Sequence, residues 1–242
     1  DVESRGLGDV YKRQTSYTDV MSERDGGIRT FFHFRGANAR LGAEQVLQME
    51  TQARIFHLGY LLLLDELDSP DPEYGVVAAR VLKGLQRQGY ETSVDVVSEE
   101  GDRFRRIVGP CLPYIDYLIV NEIEAGAVCG LQLRDPEGVL LHDRMEEAAE
   151  TLVQRGVGRL CAIHCPEGGY ARTRDGESSW CSSVPVAAKQ IISSVGAGDA
   201  FCAGMLYAQH EGMPLHDALC FANASAHFNL FSATSTGGAP TC

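Results

Sequence analysis

The feature that most constrains this fold is a rhythm of short aliphatic and β-branched runs, each followed by apolar residues at helical spacing. Residues 55–64, 93–97, 117–120 and 160–163 read as compact buried strands. A helix is predicted over 72–88: Pro72 suits a first turn, Val77, Val81, Leu82 and Leu85 recur on one face, and Gly89 stops it. Another is predicted over 143–154, with Asp143 and Glu146 spaced as in a capping box and Met145, Ala148, Leu152 and Val153 as its stripe. Shorter helices are expected over 102–111 and from Glu122, a hairpin over 169–174 and 179–186, and two closing helices over 199–210 and 215–230. Strand and helix alternating in this way define an α/β fold, a mainly parallel sheet covered on both faces.

The opening of the chain follows another pattern. Asp9-Val10-Tyr11-Lys12-Arg13-Gln14 matches the translation of a sequencing-library adapter, so residues 1–14 read as an adapter-derived scar or a polar arm. The domain is then expected to occupy 15–242. Asp25-Gly26-Gly27 is a hairpin turn signal, and the alternating run 28–35 after it predicts a strand that Gly36-Ala37-Asn38 ends. Phe32 and Phe34 share one face of that strand, and core packing is the expectation for both.

Composition narrows the function. With 21 Lys plus Arg against 33 Asp plus Glu, the formal net charge is -12, which repels phosphate backbones and anionic lipid. Nucleic acid and membrane are therefore not expected as partners. Eight cysteines are scattered without a CxxC pair, several in apolar runs, which suits reduced thiols and a cytoplasmic setting. Cys161, His164 and Cys165 lack a second ligand pair, and a strand sends 164 to the face opposite 161 and 165, so zinc is not expected there.

Two segments carry chemistry. In the first, a short apolar strand predicted at Ile191-Ile192 leads through Ser193-Ser194-Val195 into Gly196-Ala197-Gly198, and Asp199 opens an apolar helix. Glycines admit turns closed to other residues, and the unpaired amides of a helix start attract anions. Phosphoryl transfer needs such amides together with a carboxylate that orients the attacking hydroxyl. The same residues also describe a helix capped by Asp after a glycine turn. In the second segment, Asn121 ends the strand at 117–120 and Glu124 follows three residues on, at the strand end where open α/β sheets bind ligands. Oxygen donors so spaced suit Mg2+ held through water, and equally suit an ordinary helix cap.

Gly196-Ala197-Gly198-Asp199-Ala200-Phe201 followed by Ala203-Gly204 closely resembles the C-terminal signature of ribokinase-like (phosphofructokinase B) carbohydrate kinases, and Asn121-Glu122-Ile123-Glu124 resembles their Asn-x-x-Glu motif. The resemblance covers about 16–240. It implies a three-layer α/β/α sandwich with the remnant of a small β lid, its strand at about 28–36. It also implies an ATP- and Mg2+-dependent enzyme that phosphorylates a sugar or sugar-acid hydroxyl. Asp199 is then the base, Gly196, Ala197 and Gly198 the anion hole, and Asn121 and Glu124 the magnesium–phosphate organisers. Ser194 stands where the family has Thr and keeps its hydroxyl. Ser193 replaces the family's Asp, which removes a carboxylate from a monovalent cation's shell, so dependence on K+ is not expected to follow. Pro166 replaces the first glycine of a Gly-x-x-Gly near ATP while Gly169 keeps the second, and Asn223 falls on the helix that borders the adenine. The resemblance further implies a possible homodimer through lid strands and a sugar-binding segment ahead of Thr15. A nucleoside kinase on the same scaffold and a non-catalytic sugar- or nucleotide-binding regulator are the other readings.

Overall fold

The computed structural model describes residues 14–22, 29–97 and 101–239. Strands β1 (Tyr17–Ser22) and β2 (Arg29–Phe34) pair antiparallel, Tyr17 opposite Phe34. The main sheet holds β3 (Ile55–Leu61), β4 (Glu91–Val96), β5 (Tyr117–Asn121), β6 (Leu160–Cys165), β7 (Gly168–Thr173) and β8 (Ser178–Ser182). They lie side by side in chain order, β3 through β6 parallel and the last two antiparallel. Helices α1 (Ala43–Leu47), α2 (Val77–Arg87), α3 (Glu122–Cys129), α4 (His142–Gln154), α5 (Ala197–Glu211) and α6 (Leu215–Asn229) complete the fold.

Alternation along the strands builds two cores. On β5, Leu118 and Val120 face α2, α3 and α4, meeting Val81, Leu85, Ala125, Val128 and Leu152. Tyr117 and Ile119 point the other way, into a second cluster with Phe201, Met205, Ala208 and Leu219 of α5 and α6. The result is the expected three-layer α/β/α sandwich. Where α5 crosses α6, a Cβ on Gly204 would lie 2.7 Å from Ser225 Oγ and 3.0 Å from Ala222 Cα. Glycine there lets the two helices touch backbone to backbone. No helix among the described residues is long and apolar enough to cross a membrane.

The structure departs from the sequence reading in several places. The helix expected from Pro72 starts at Val77. Asp71 Oδ1 accepts from the amides of Glu73 and Tyr74, both at 3.0 Å, and Gly75 has φ +83°, so residues 70–76 make a tight turned ribbon instead. The Ile191-Ile192 stretch joins no sheet: both side chains are exposed, and the amides of Ile192 and Ser193 bind the Leu230 carbonyl at 2.9 and 3.4 Å. Strand β1 gave no apolar alternation, because the hairpin it forms with β2 buries neither face. Phe32 and Phe34 are 55% and 43% exposed there, so they are not core residues. The turn predicted at 25–27 and most of the 1–14 segment lie outside the described residues. Gln14 itself is tied in, its carbonyl accepting from the Ala37 amide at 2.8 Å.

Candidate active site

The parallel strands β3 to β6 end along one rim, and polar side chains gather there as the strand-end rule expects. Tyr60 comes from β3, Asp95 from β4, Asn121 from β5 and His164 from β6, where Asn121 and His164 are register partners. Above this rim stands the glycine turn. Residues 194–197 form a β-turn closed by the Ala197 amide on the Ser194 carbonyl at 3.3 Å, with Gly196 at φ +82°, ψ 0°, the third position of a type II turn. Ser235 packs against it so closely that a Cβ on Gly196 would lie 2.6 Å from the Ser235 carbonyl oxygen. A Cβ on Gly198 would sit 3.1 Å from the His164 ring.

Closing that turn changes which amides are open. The sequence reading counted Gly196, Ala197 and Gly198 as the anion hole, yet the Ala197 amide is already engaged with Ser194. Among the described residues the amides of Gly196, Gly198 and Asp199 have no protein acceptor, the last two as the first turn of α5 requires. These three are the donors that remain for an anion, so of the amides first counted only that of Ala197 drops out.

On one side of the turn lies a cleft of about 570 Å³, within the size range of small-molecule sites. Ala197, Gly198 and Ser194 line it, with Asn121 and His164 on the rim and Asn223 on α6 opposite. Asn223 Nδ2 donates to the Cys181 carbonyl at 2.8 Å, which fixes α6 to β8. Gly169 is not on the cleft wall. It is buried in β7, where a Cβ would meet Phe201 Cζ at 2.9 Å, so its role in the structure is to admit that ring. Two rim carboxylates, Glu122 and Glu167, oppose an anionic ligand, and Arg134 answers both. It bonds Glu122 at 2.8 Å and Glu167 at 2.8 Å, and this pairing pulls the Glu167 carboxyl down to about 2.

On the other side of the turn, Asp199 is exposed and accepts a hydrogen bond from the Tyr60 hydroxyl. Burial, followed by the Asp199 charge, raises the Tyr60 phenol, so it stays a donor. Burial also lowers His164 to about 4, which keeps its imidazole neutral beside the turn. Asn121 and Glu124 form a reciprocal cap. Asn121 Oδ1 accepts from the Glu124 amide at 2.8 Å, and Glu124 Oε2 accepts from the Asn121 amide at 3.0 Å. Asn121 reaches the cleft, while Glu124 is 4% exposed behind it. The cap reading thus describes both residues.

Asp95, which the sequence reading passed over, is the most perturbed acid of the group. Burial and then the neighbouring Glu124 charge raise it to about 7. Hard oxygen donors held close against their mutual repulsion are what a Mg2+ ion relieves, so this donor set fits that ion. The raised value has a stability consequence. Asp95 stays protonated in the folded chain where an unfolded aspartate has ionised, so stability falls as pH rises from about 4 to 7 and then levels. Asp95→Asn is expected to flatten that slope and raise Tm at pH 8, as measured by thermal denaturation across pH. An unchanged slope would show that another group carries it.

Oxygen donors, open amides and a cleft thus meet at a glycine turn on the carboxyl-end rim of an α/β sheet. The chain belongs to the pfkB family of carbohydrate kinases, whose description matches residues 1–242. It is 32% identical to a 5-dehydro-2-deoxygluconokinase of Clostridium perfringens over 106 residues, 43% of this chain and 30% of that protein. It is 31% identical to the pseudouridine kinase of Escherichia coli over 119 residues, 49% of this chain and 35% of the other. The chain thus matches about a third of the length of these curated relatives. In fold it resembles an Arabidopsis thaliana ribokinase complexed with ribose and ATP, with TM-score 0.70 and 22% identity over 93% of this chain and 66% of that one. A Burkholderia thailandensis nucleoside kinase complexed with inosine is similar at TM-score 0.67 and 19% identity, over 94% and 66%. The architecture is ribokinase-like.

Tyr60, Asp95, His164 and Arg134 are the residues that sequence reasoning missed. The first three share a signal, since each closes or nearly closes a parallel strand. Arg134 has none, because its partners are 12 and 33 residues away.

Proposed function

We propose that this chain transfers the γ-phosphate of ATP to a hydroxyl of a sugar or sugar acid, with Asp199 as base. The observation that carries the reading is the glycine turn, which puts open amides and a cleft on one side and a carboxylate on the other. In this reading ATP occupies the cleft, its triphosphate beside Ser194 and Gly198 and its adenine beside Asn223. The acceptor hydroxyl approaches Asp199 from the Tyr60 side. As the hydroxyl oxygen forms its bond to the γ-phosphorus, its proton passes to an Asp199 carboxylate oxygen. The bond from that phosphorus to the β–γ bridging oxygen breaks, and ADP leaves with the electron pair. The Gly198 and Asp199 amides receive the charge on the moving phosphoryl group, and the dipole of α5 adds to them. Mg2+, when bound, neutralises phosphate charge; Asn121 and Glu124 would hold it through water, with Asp95 beside them.

Tyr60 keeps the base aimed until the acceptor arrives. Arg134 holds the rim carboxylates so that they do not repel the nucleotide. Neutral His164 packs under Gly198 and adds no charge of its own. A nucleoside acceptor is the second reading, favoured by the similarity to pseudouridine kinase.

The test is ADP release with 5-dehydro-2-deoxygluconate, ribose and fructose in one panel, and pseudouridine and adenosine in another. Turnover with the first panel is expected. Turnover confined to nucleosides replaces the acceptor class. ATP binding with no transfer to any acceptor makes the protein a nucleotide-binding regulator.

A further inference from the structure

Away from the candidate active site, three soft donors converge on the outer wall of the sandwich. His216 and Cys220 are four residues apart on α6 and so share a face. Cys181 comes from the strand β8 that this helix covers. One ligand atom from each residue lies within 4.8 Å of the other two. The Cys220 Sγ to His216 Nε2 distance is 3.6 Å. Zinc bonds of about 2.3 Å to sulfur and 2.05 Å to nitrogen, at a tetrahedral angle, set an S–N edge of about 3.6 Å. The pair already has that spacing.

The imidazole is also held in a ligating orientation. Ser179 Oγ lies 3.0 Å from His216 Nδ1, so one ring nitrogen is engaged and Nε2 is the one turned toward the sulfurs. Ligating histidines are characteristically fixed through their other nitrogen in this way. Below, the Asn223 hydrogen bond to the Cys181 carbonyl locks the strand to the helix, so the donors sit on rigid elements. His216 is exposed and the two cysteines are half-buried, which leaves an approach for an ion and a water as fourth ligand.

We propose that Cys181, His216 and Cys220 form a binding site for a thiophilic divalent ion, Zn2+ foremost, which clamps β8 to α6. Two thiolates and an imidazole favour zinc over magnesium, whose ligands are oxygens. Charge supports the choice as well, because Zn2+ with two thiolates is neutral. The other Cys- and His-containing group among the described residues, His57, Asp95 and Cys202, is a weaker candidate. Its thiol is buried, and its carboxylate already belongs to the Asp199 region.

The test is titration of the reduced, metal-free protein with Co2+, read by thiolate-to-cobalt charge transfer and tetrahedral ligand-field absorption, followed by displacement with Zn2+. Saturation at one equivalent is expected. Cys181→Ser and Cys220→Ser should each weaken the charge-transfer band, and the double variant should abolish it. His216→Gln should keep the band but shift the ligand field. Ser179→Ala should weaken affinity by roughly 10–100-fold, as outer-shell changes do. Cys129→Ser, on another element, should change nothing. No variant is needed for a second readout: stoichiometric Zn2+ should protect Cys181 and Cys220 of the unaltered chain from iodoacetamide, read by peptide mass spectrometry. A missing thiolate band, a band that survives the double variant, or protection that falls elsewhere overturns the site. So does reduced protein that closes a Cys181–Cys220 disulfide on exposure to air and takes up no cobalt when kept anaerobic.

Discussion

Asp199→Asn is expected to lower kcat/KM by about 10²–10⁴-fold, the range a positioned general base contributes. Stability should hardly move. Asp199 is exposed, and substitutions at such sites usually change stability by no more than about 0.5 kcal/mol. Asparagine keeps an oxygen for the Tyr60 hydroxyl, so the local geometry survives while the proton acceptor is lost. ATP affinity should hold or tighten, because a negative charge near the phosphates has gone. Initial rates, nucleotide titration and thermal denaturation of the same preparation separate the three. Turnover equal to that of the unaltered chain would remove Asp199 from the chemistry, whatever the cleft binds.

Gly196→Ala is expected to do the opposite kind of damage, lowering stability, nucleotide affinity and turnover together. Alanine at φ +82° carries a left-handed penalty of about 1–2 kcal/mol. Its Cβ would also stand 2.6 Å from the Ser235 carbonyl oxygen and 2.7 Å from the Ser235 Cα, and backbone cannot swing aside as a side chain can. The turn must shift, and the Gly198 and Asp199 amides shift with it. Misplacement of about 1 Å in a reacting geometry costs on the order of 10²-fold in rate. Gly212→Ala is the control, since Gly212 has φ +70° but open space where the Cβ would go. That variant should lose only the backbone penalty. Equal losses at the two positions would mean that contact with Ser235 does not hold the turn.

The layered fold was legible because its information is local. Alternating apolar residues on β5 and the stripe of α4 state which face is buried before any partner is known. The glycine turn was legible for the same reason, as Gly196, Gly198 and Asp199 are near neighbours in sequence. What failed depended on distant partners. Ile191-Ile192 has a strand's composition, but its amides bond the Ala188 and Leu230 carbonyls rather than a neighbouring strand, so it runs as a loop. Pro72 is the exception, a local one: it has a helix-start identity, but the neighbouring Asp71 side chain captures the next amides first. The Tyr60–Asp199 contact spans 139 residues and the Cys181–His216–Cys220 group joins a strand to a helix, and neither leaves a spacing pattern.

The contact at Gly204 has a mechanical consequence. With glycine at 204, α5 and α6 meet closely at that point, and Tyr207 stacks on Phe221 beside it, so Asp199 at the head of one helix and Asn223 on the other are expected to travel together. In the proposed reaction, a swing of the helix beside the nucleotide would thereby reach the carboxylate without a separate hinge.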